Sequence, residues 1–190
     1  MTIALPVTES LPFKLRIEDF ELLDRAGVFA GHKRVELIEG ALVAMNAEFR
    51  LHTIAKNELM FRLRLTLLAL ESDYTAMVEP TLALPPHNLP EPDVLVTNAP
   101  RARDYYRLDF AAIVIEVADT TLADDLGVKC AMYAAQGVPE YWVVALPTSE
   151  VHQFWAPSAK GFGERRTVSL EGKLTSLTLP DLTIDGRGIV

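Results

Sequence analysis

One apolar run of strand length stands near the middle of the sequence, Ala112-Ile113-Val114-Ile115-Glu116-Val117, and a single carboxylate interrupts it. A carboxylate inside a buried strand is unfavourable unless a cation or hydrogen-bond donors satisfy it. Glu116 is therefore either part of a functional site or an ordinary strand-end carboxylate that faces water or pairs with an arginine. Its position alone favours neither interpretation.

A second carboxylate begins another apolar strand, because Asp93 follows Pro92 and precedes Val94-Leu95-Val96. Taken alone, a Pro-Asp pair is ordinary turn material. If the two strands are antiparallel neighbours, the start of one lies beside the end of the other, and Asp93 meets Glu116 at one sheet edge. Two close carboxylates repel each other unless a proton or a metal lies between them. Hard oxygen ligands of this kind favour Mg²⁺, with Mn²⁺ as a possible substitute.

A lysine on the next predicted helix is also a candidate for the same sheet edge. Lys129 lies one predicted helix beyond Glu116, and Asp125 precedes it by four residues. This spacing is typical of a surface ion pair worth about 0.3–0.5 kcal/mol. The alternative is that the ammonium points to the metal edge, where it orients a water or stabilises charge on a phosphate.

Apolar periodicity predicts helices and short strands in mixed order, without strict alternation. This pattern predicts one α/β domain with a mixed sheet over residues 15–190, after a flexible arm at residues 1–14. Helices are expected at 15–29, 51–71 and 122–136. Strands are expected at 74–78, 82–84, 93–96, 112–117, 141–146 and 151–155, with two more in each of the segments 34–45 and 167–184.

The longest predicted helix has an unusually wide apolar stripe. One set of residues repeats every four positions and a second set widens the stripe: Leu51, Ala55, Leu59, Leu63 and Leu67, then Ile54, Phe61, Leu65 and Leu68. A stripe of this width predicts a helix that is buried on much of its circumference.

Composition narrows the class of protein. Apolar residues make up 49 % and charged residues 23 % of the 190, which excludes a disordered chain. The net charge of −8 argues against a passive nucleic-acid coat protein. The single cysteine, Cys130, excludes a disulfide within the chain. With neither a membrane-spanning stretch nor a secretory signal in the sequence, we expect a cytoplasmic protein that does not contact membranes.

Several ordered motifs, spread over residues 17–155, resemble the PD-(D/E)XK nuclease superfamily and, within it, the Uma family of restriction-endonuclease-like proteins. The segments that carry the resemblance are 34–40 (RVELIEG), His52, 91–96 (EPDVLV), 114–119 (VIEVAD), 125–129 (DLGVK), Tyr133 and 137–144 (GVPEYWVV). The resemblance implies a restriction-endonuclease-like core, in which helices flank a central mixed sheet and metal binds at one strand edge.

The resemblance also implies roles for individual residues. The implied metal ligands are Asp93, Glu116, Glu36 and the backbone carbonyl of Val117. The superfamily's usual lysine, two residues after the glutamate, is Ala118 here, and Lys129 on the next helix is its implied substitute. His52 is assigned a role on the substrate side or behind the ligands, with an ordinary helix-end hydrogen bond as the alternative.

The function expected from these residues is metal-dependent hydrolysis of DNA phosphodiester bonds, with Mg²⁺ or Mn²⁺ as cofactor and Asp93, Glu116, Lys129, Glu36 and His52 as catalytic residues. The alternative is a weakened nuclease fold that serves as a binding or assembly module. A third hypothesis, a hydrolase that uses His52 with an acid, lacks a nucleophile motif. We also expect a homodimer, whose basic cleft would draw on Lys56, Arg62, Arg64, Arg101, Arg103 and Arg107.

Overall fold

Helices and strands follow one another irregularly along residues 12–190, the part of the chain that the computed structural model describes. The expected arm at residues 1–14 thus lies largely outside the described residues. The elements are α1 Ile17–Arg25, β1 Val35–Ile38, β2 Ala41–Ala44, α2 Arg50–Ala69, β3 Thr75–Val78, β4 Leu82–Ala83, β5 Val94–Thr97, β6 Tyr106–Arg107, β7 Ala111–Ala118, α3 Leu122–Asp124, α4 Cys130–Gln136, β8 Glu140–Ala145, β9 Glu150–Ser158, β10 Gly161–Ser169, β11 Lys173–Thr175 and β12 Thr183–Asp185. A π-helical turn, Asp125–Lys129, joins α3 to α4.

The central sheet has six strands in the order β10-β9-β8-β7-β5-β3. Strands β7 and β8 are parallel, and the other neighbouring pairs are antiparallel. Helices cover both faces of the sheet, which confirms the predicted α/β fold class with a mixed sheet. Within residues 12–190, no helix combines the length and apolarity needed to cross a membrane.

Strand β7 lies inside the sheet, and all eight of its residues are buried. Successive side chains of a strand point to opposite faces. Ile113, Ile115 and Val117 accordingly pack into the cluster that includes the inner residues of α2. Val114 belongs to the cluster on the other face, which includes residues of α4. Glu116 shares the parity of Val114, so its carboxylate faces the helical segment that carries Lys129.

The expectation that α2 is buried on much of its circumference is wrong. Four residues of the stripe, Ala55, Leu59, Leu63 and Leu67, are buried against the sheet. The residues that widen the stripe are about half exposed or more: Ile54, Phe61, Leu65 and Leu68. Helix α2 packs on the sheet by one face only, and within residues 12–190 its opposite face stays open to solvent.

A buried carboxylate attaches the C-terminal region to the sheet. Glu140, the first residue of β8, is fully buried and accepts hydrogen bonds from the Trp142 indole, both hydroxyls of Ser176 and Thr178, and the backbone N–H groups of Leu177 and Thr178. Because every donor points at one side chain, the position requires an acceptor with two oxygens.

We expect Glu140→Gln to lower the free energy of unfolding by about 1–3 kcal/mol, because the amide presents N–H groups to donors and leaves some of them unsatisfied. Chemical denaturation measures this loss. The control is Glu164→Gln, at an exposed position of β10. Equal stabilities of the two variants would contradict the assigned role of Glu140.

Candidate metal centre

The pairing of β5 with β7 brings two acidic side chains together. The strands are antiparallel, and Val94 faces Ile115, so Asp93 and Glu116 stand at the same edge. The Val117 N–H donates to Asp93 Oδ2 at 2.8 Å, and the Asp93 N–H donates to Glu116 Oε2 at 3.4 Å. Both carboxylates are buried. The contact made by Val117 is thus through its N–H, and metal ligation by its carbonyl stays a prediction.

Lys129 reaches this edge from the π-helical turn, a local distortion often found at functional sites. Its ammonium lies 3.0 Å from Glu116 Oε1 and 3.3 Å from Glu36 Oε2. The Tyr133 hydroxyl donates to the same Glu116 oxygen at 3.0 Å. Lys129 is buried, and the Asp125 side chain accepts a hydrogen bond from Thr121. The lysine is therefore part of the carboxylate cluster and not of a solvated surface pair.

The pKa of Glu116 reflects this crowding. Burial raises the pKa to about 8, against the opposing charge of Lys129, and nearby Asp125, Asp93 and Glu36 raise it further. For Lys129, burial opposes the charged form, but the charges of Glu116 and Glu36 outweigh it and raise the pKa. Burial and the neighbouring acids thus favour the neutral form of Glu116, whereas the same acids favour the cationic form of Lys129.

His52 joins the cluster from the first turn of α2. Its Nε2 lies 3.2 Å from Asp93 Oδ2, and its Nδ1 lies 3.4 Å from Glu48 Oε2. Burial opposes protonation of the ring, but the hydrogen bond and charge of Asp93 outweigh it and raise the His52 pKa. One ligand atom from each of Glu48, His52 and Asp93 lies within 4.8 Å of the others, a geometry that could hold a metal ion.

Sequence reasoning missed Glu48 as a site residue. Burial favours its neutral form, but the hydrogen bond and charge of Lys56 prevail and lower the Glu48 pKa to about 2. The sequence does contain a pattern that includes Glu48. Glu48, His52 and Lys56 follow one another at intervals of four, which places them on one side of a helix and the turn before it. Lys56 is buried here and lies 3.9 Å from Asp93 Oδ1.

An arginine closes the cluster on the side of the β1–β2 hairpin. Arg34 begins the motif at residues 34–40, but the sequence pattern assigned no role to it. Its guanidinium lies 3.4–3.6 Å from four carboxylates, those of Glu36, Glu48, Glu79 and Glu91. Burial opposes its charge, but the surrounding acids raise the pKa of Arg34. The arginine therefore offsets negative charge that the lysines leave uncompensated.

Two buried carboxylate oxygens bear on whether a divalent cation fits the cluster. Within residues 12–190, Asp93 Oδ1 and Glu36 Oε2 accept no hydrogen bond, although both are inaccessible to solvent. Each has only an ion-pair contact, Asp93 Oδ1 with Lys56 at 3.9 Å and Glu36 Oε2 with Lys129 at 3.3 Å. A buried acceptor without a hydrogen bond is unfavourable, and an oxygen-binding cation would satisfy it. Carboxylate oxygens and an imidazole nitrogen suit a divalent ion. Asp93 belongs to two candidate ligand groups. Among the described residues, its group with Glu48 and His52 is the one whose ligand atoms all lie within 4.8 Å of one another, and its group with Glu116 and Glu36 stays a prediction.

The cluster forms one wall of a cleft of about 330 Å³, whose lining includes all five predicted side chains: Glu36, His52, Asp93, Glu116 and Lys129. Within the described residues, no serine or cysteine lines this cleft, so the third hypothesis finds no nucleophile of that kind there. A wider cleft of about 720 Å³ shares Arg34 and Glu48 with it.

The basic residues proposed for a dimer cleft are dispersed. Lys56 lies inside the carboxylate cluster, where it also pairs with Glu79. Arg62 donates to the backbone carbonyls of Asp185, Arg187 and Gly188 and so holds the C-terminal region. Arg107 pairs with Asp109 at the surface. Three of the six residues are thus engaged within the chain.

A mixed sheet between helices, with buried acids at one strand edge, defines a restriction-endonuclease-like fold. Residues 17–186 match the model of the family described as "Uma2: Putative restriction endonuclease", and the chain belongs to that family. A crystal structure from Anabaena variabilis ATCC 29413, described as "a putative nuclease belonging to DUF820", is similar in fold, with a TM-score of 0.61 and 13 % identity over 82 % of this chain and 88 % of that chain. The search of curated proteins found no match. The predicted family is confirmed.

The buried charges predict a large effect of removing Lys129. We expect Lys129→Met to lower the free energy of unfolding by about 3–5 kcal/mol, because Glu36 and Glu116 lose their shared cation. Adding Glu116→Gln should recover part of the loss, since one of the two unpaired acids is then neutral. Chemical denaturation of the single and double variants measures both effects.

The matched control is Lys160→Met, at an exposed position of the β9–β10 turn. If Lys129→Met costs no more than this control, the ion pairs seen in the cluster do not compensate the buried acids.

Proposed function

We propose that this protein is a metal-dependent endonuclease that hydrolyses phosphodiester bonds of DNA with Mg²⁺ or Mn²⁺. The observation that carries the proposal is the buried pair Asp93 and Glu116, in which Asp93 Oδ1 accepts no hydrogen bond within residues 12–190. Membership of a restriction-endonuclease family supports phosphodiester hydrolysis as the reaction.

Asp93, Glu116, Glu36 and the backbone carbonyl of Val117 are the proposed metal ligands. When bound there, a divalent cation supplies positive charge that polarises the scissile phosphate and lowers the pKa of a bound water. The backbone N–H of Val117 fixes Asp93 Oδ2, whereas Oδ1 accepts no hydrogen bond from the described residues. Two hydrogen bonds, from Lys129 and Tyr133, hold Glu116 Oε1.

Lys129 is the proposed substitute for the lysine that the usual E-x-K triplet would place at residue 118. Its buried ammonium is a fixed positive charge beside the ligands, where it can orient the attacking water or stabilise charge that develops on the phosphate. His52 contacts Asp93 and is proposed as a positioning residue that keeps this carboxylate oriented.

We expect the protein to nick supercoiled plasmid DNA in the presence of Mg²⁺ or Mn²⁺ and to lose this activity in EDTA. Asp93→Asn should reduce nicking to background, because the amide removes the charge that both candidate ligand groups share. Gel electrophoresis of the plasmid measures the reaction.

The control is Asp109→Asn, at a carboxylate that is 69 % exposed and lies outside the cluster. Metal-dependent nicking that persists in folded Asp93→Asn protein, or that is equally lost in the control, would contradict the proposed site.

A second function, a binding or assembly module, is favoured by one observation. Lys129 already forms ion pairs with both Glu116 and Glu36, and the position of the usual lysine is occupied by Ala118. If the ion pairs with Lys129 stabilise the buried acids, the fold is retained without a bound metal ion.

Titration with Mn²⁺, followed by thermal unfolding, separates the two functions. For a working site we expect saturable stabilisation, ~2.7 kcal/mol when the metal reaches ~100 times its Kd, which vanishes in Asp93→Asn. Comparing Glu36→Gln with Glu48→Gln then identifies the ligand group, because only the variant that lacks a true ligand loses affinity. A wild-type melting temperature that does not respond to Mn²⁺ would favour the binding module.

A further inference from the structure

The outer face of α2 carries a regular row of exposed apolar side chains. We define the outer α2 face as Leu51, Ile54, Phe61, Leu65 and Leu68, which are 45–67 % exposed. Together with Glu58, these positions alternate in steps of three and four residues along the helix. Steps of three and four are the spacing of a seam between two paired helices.

This row is not needed for the fold, because α2 attaches to the sheet through the opposite side, with Ala55, Leu59, Leu63 and Leu67. Isolated exposed leucines are normal on a protein surface, but an apolar strip along a 20-residue helix, interrupted only by Glu58, is not. Within residues 12–190, no element covers the strip.

We propose that the outer α2 face binds the same face of a second copy of this chain, so that the two helices pack antiparallel about a two-fold axis. An antiparallel pair places Leu51 against Leu68 of the second copy, and Ile54 against Leu65. Each of the five side chains is roughly half exposed, so the pairing removes on the order of 1,000 Å² from water, the lower limit for a specific interface. A two-fold axis makes the contact self-complementary and closed.

Charge at the helix ends sets the direction of the pairing. Arg50 begins α2, and Glu71 follows its last residues; both are exposed. Antiparallel helices bring Arg50 near Glu71 of the second copy at both ends, whereas parallel helices would bring like charges together. Glu58 stands in the middle of the seam and pairs with Arg62 of its own chain at 3.3 Å, so its charge is already compensated.

The inference is independent of the nuclease assignment and is tested by molar mass in solution. We expect light scattering or sedimentation to give twice the 21.0 kDa of one chain. Leu65→Glu should return the mass to that of one chain, whereas Leu22→Glu, which changes a comparably exposed leucine on α1, should leave it doubled. Far-UV circular dichroism confirms that both variants are folded.

A charge exchange tests the direction and provides a second variant should Leu65→Glu fail to fold. Arg50→Glu and Glu71→Arg should each weaken the dimer at least tenfold, and the double variant should restore it, because the opposite charges meet again. A monomeric wild-type chain, or a dimer that survives both Leu65→Glu and the charge changes, would overturn the proposal. Dimerisation that appears only after residues 1–11 are removed would also overturn it, because it would show that the chain's own N-terminal segment covers the face.

Discussion

Burying several carboxylates at one sheet edge is the constraint that shapes this molecule. Asp93 and Glu116 face each other where β5 begins and β7 ends, and Glu36 stands beside them. Charges removed from water are strongly unfavourable unless opposite charges and hydrogen bonds replace the solvent. The chain meets this requirement with buried or partly buried cations from separate elements, Lys129 from the π-helical turn and Lys56 from α2, and with Arg34 before β1.

The same constraint ties the site to the fold. No single segment holds the cluster, because its acids and cations come from the β1–β2 hairpin, α2, the start of β5, the end of β7 and the π-helical turn. Each of the three cations contacts acids from at least two separate segments of the chain, as Lys129 does with Glu36 and Glu116. Such an arrangement can hold a divalent cation only if that cation competes with or displaces the chain's own ammonium groups. The chain has a net charge of −8, which repels the phosphates of DNA. Any approach of DNA therefore also requires local positive charge near the site.

The sequence predicted the elements that have a clear apolar pattern. The helical segment at 122–136, the strand expected at 112–117 and the meeting of Asp93 with Glu116 could all be inferred, because each depends on local periodicity or on strand polarity. The π-helical turn at Asp125–Lys129, which interrupts the helical segment, was not predicted. Strand β10 was not predicted, because it is an edge strand whose residues are mostly polar and exposed. The exposed face of α2 could not be inferred either, since the sequence pattern does not distinguish an apolar side chain that packs on the sheet from one that faces solvent.

The charged partners of the site were the hardest to predict. Arg34 acts through contacts with residues far away in the sequence, such as Glu79 and Glu91, and nothing in its local pattern separates it from an ordinary surface charge. Glu48 contacts nearer residues, but its sequence neighbourhood alone does not show that it is part of the site. Their burial follows from tertiary packing of the hairpin and α2 against the strand edge. The spacing of Glu48, His52 and Lys56 was the one local signal, and it becomes meaningful only once His52 is known to face Asp93.

The edge formed by β5 and β7 is proposed to bind a divalent cation through Asp93. A crystal soaked in MnCl₂ and measured for anomalous scattering would show such an ion. If the edge binds the ion, a manganese peak lies in direct contact with Asp93 Oδ1 and within reach of either Glu116 and Glu36 or Glu48 and His52. A fully soaked crystal without a peak at Asp93, in which the Lys129 ammonium still pairs with Glu116, would contradict this proposal.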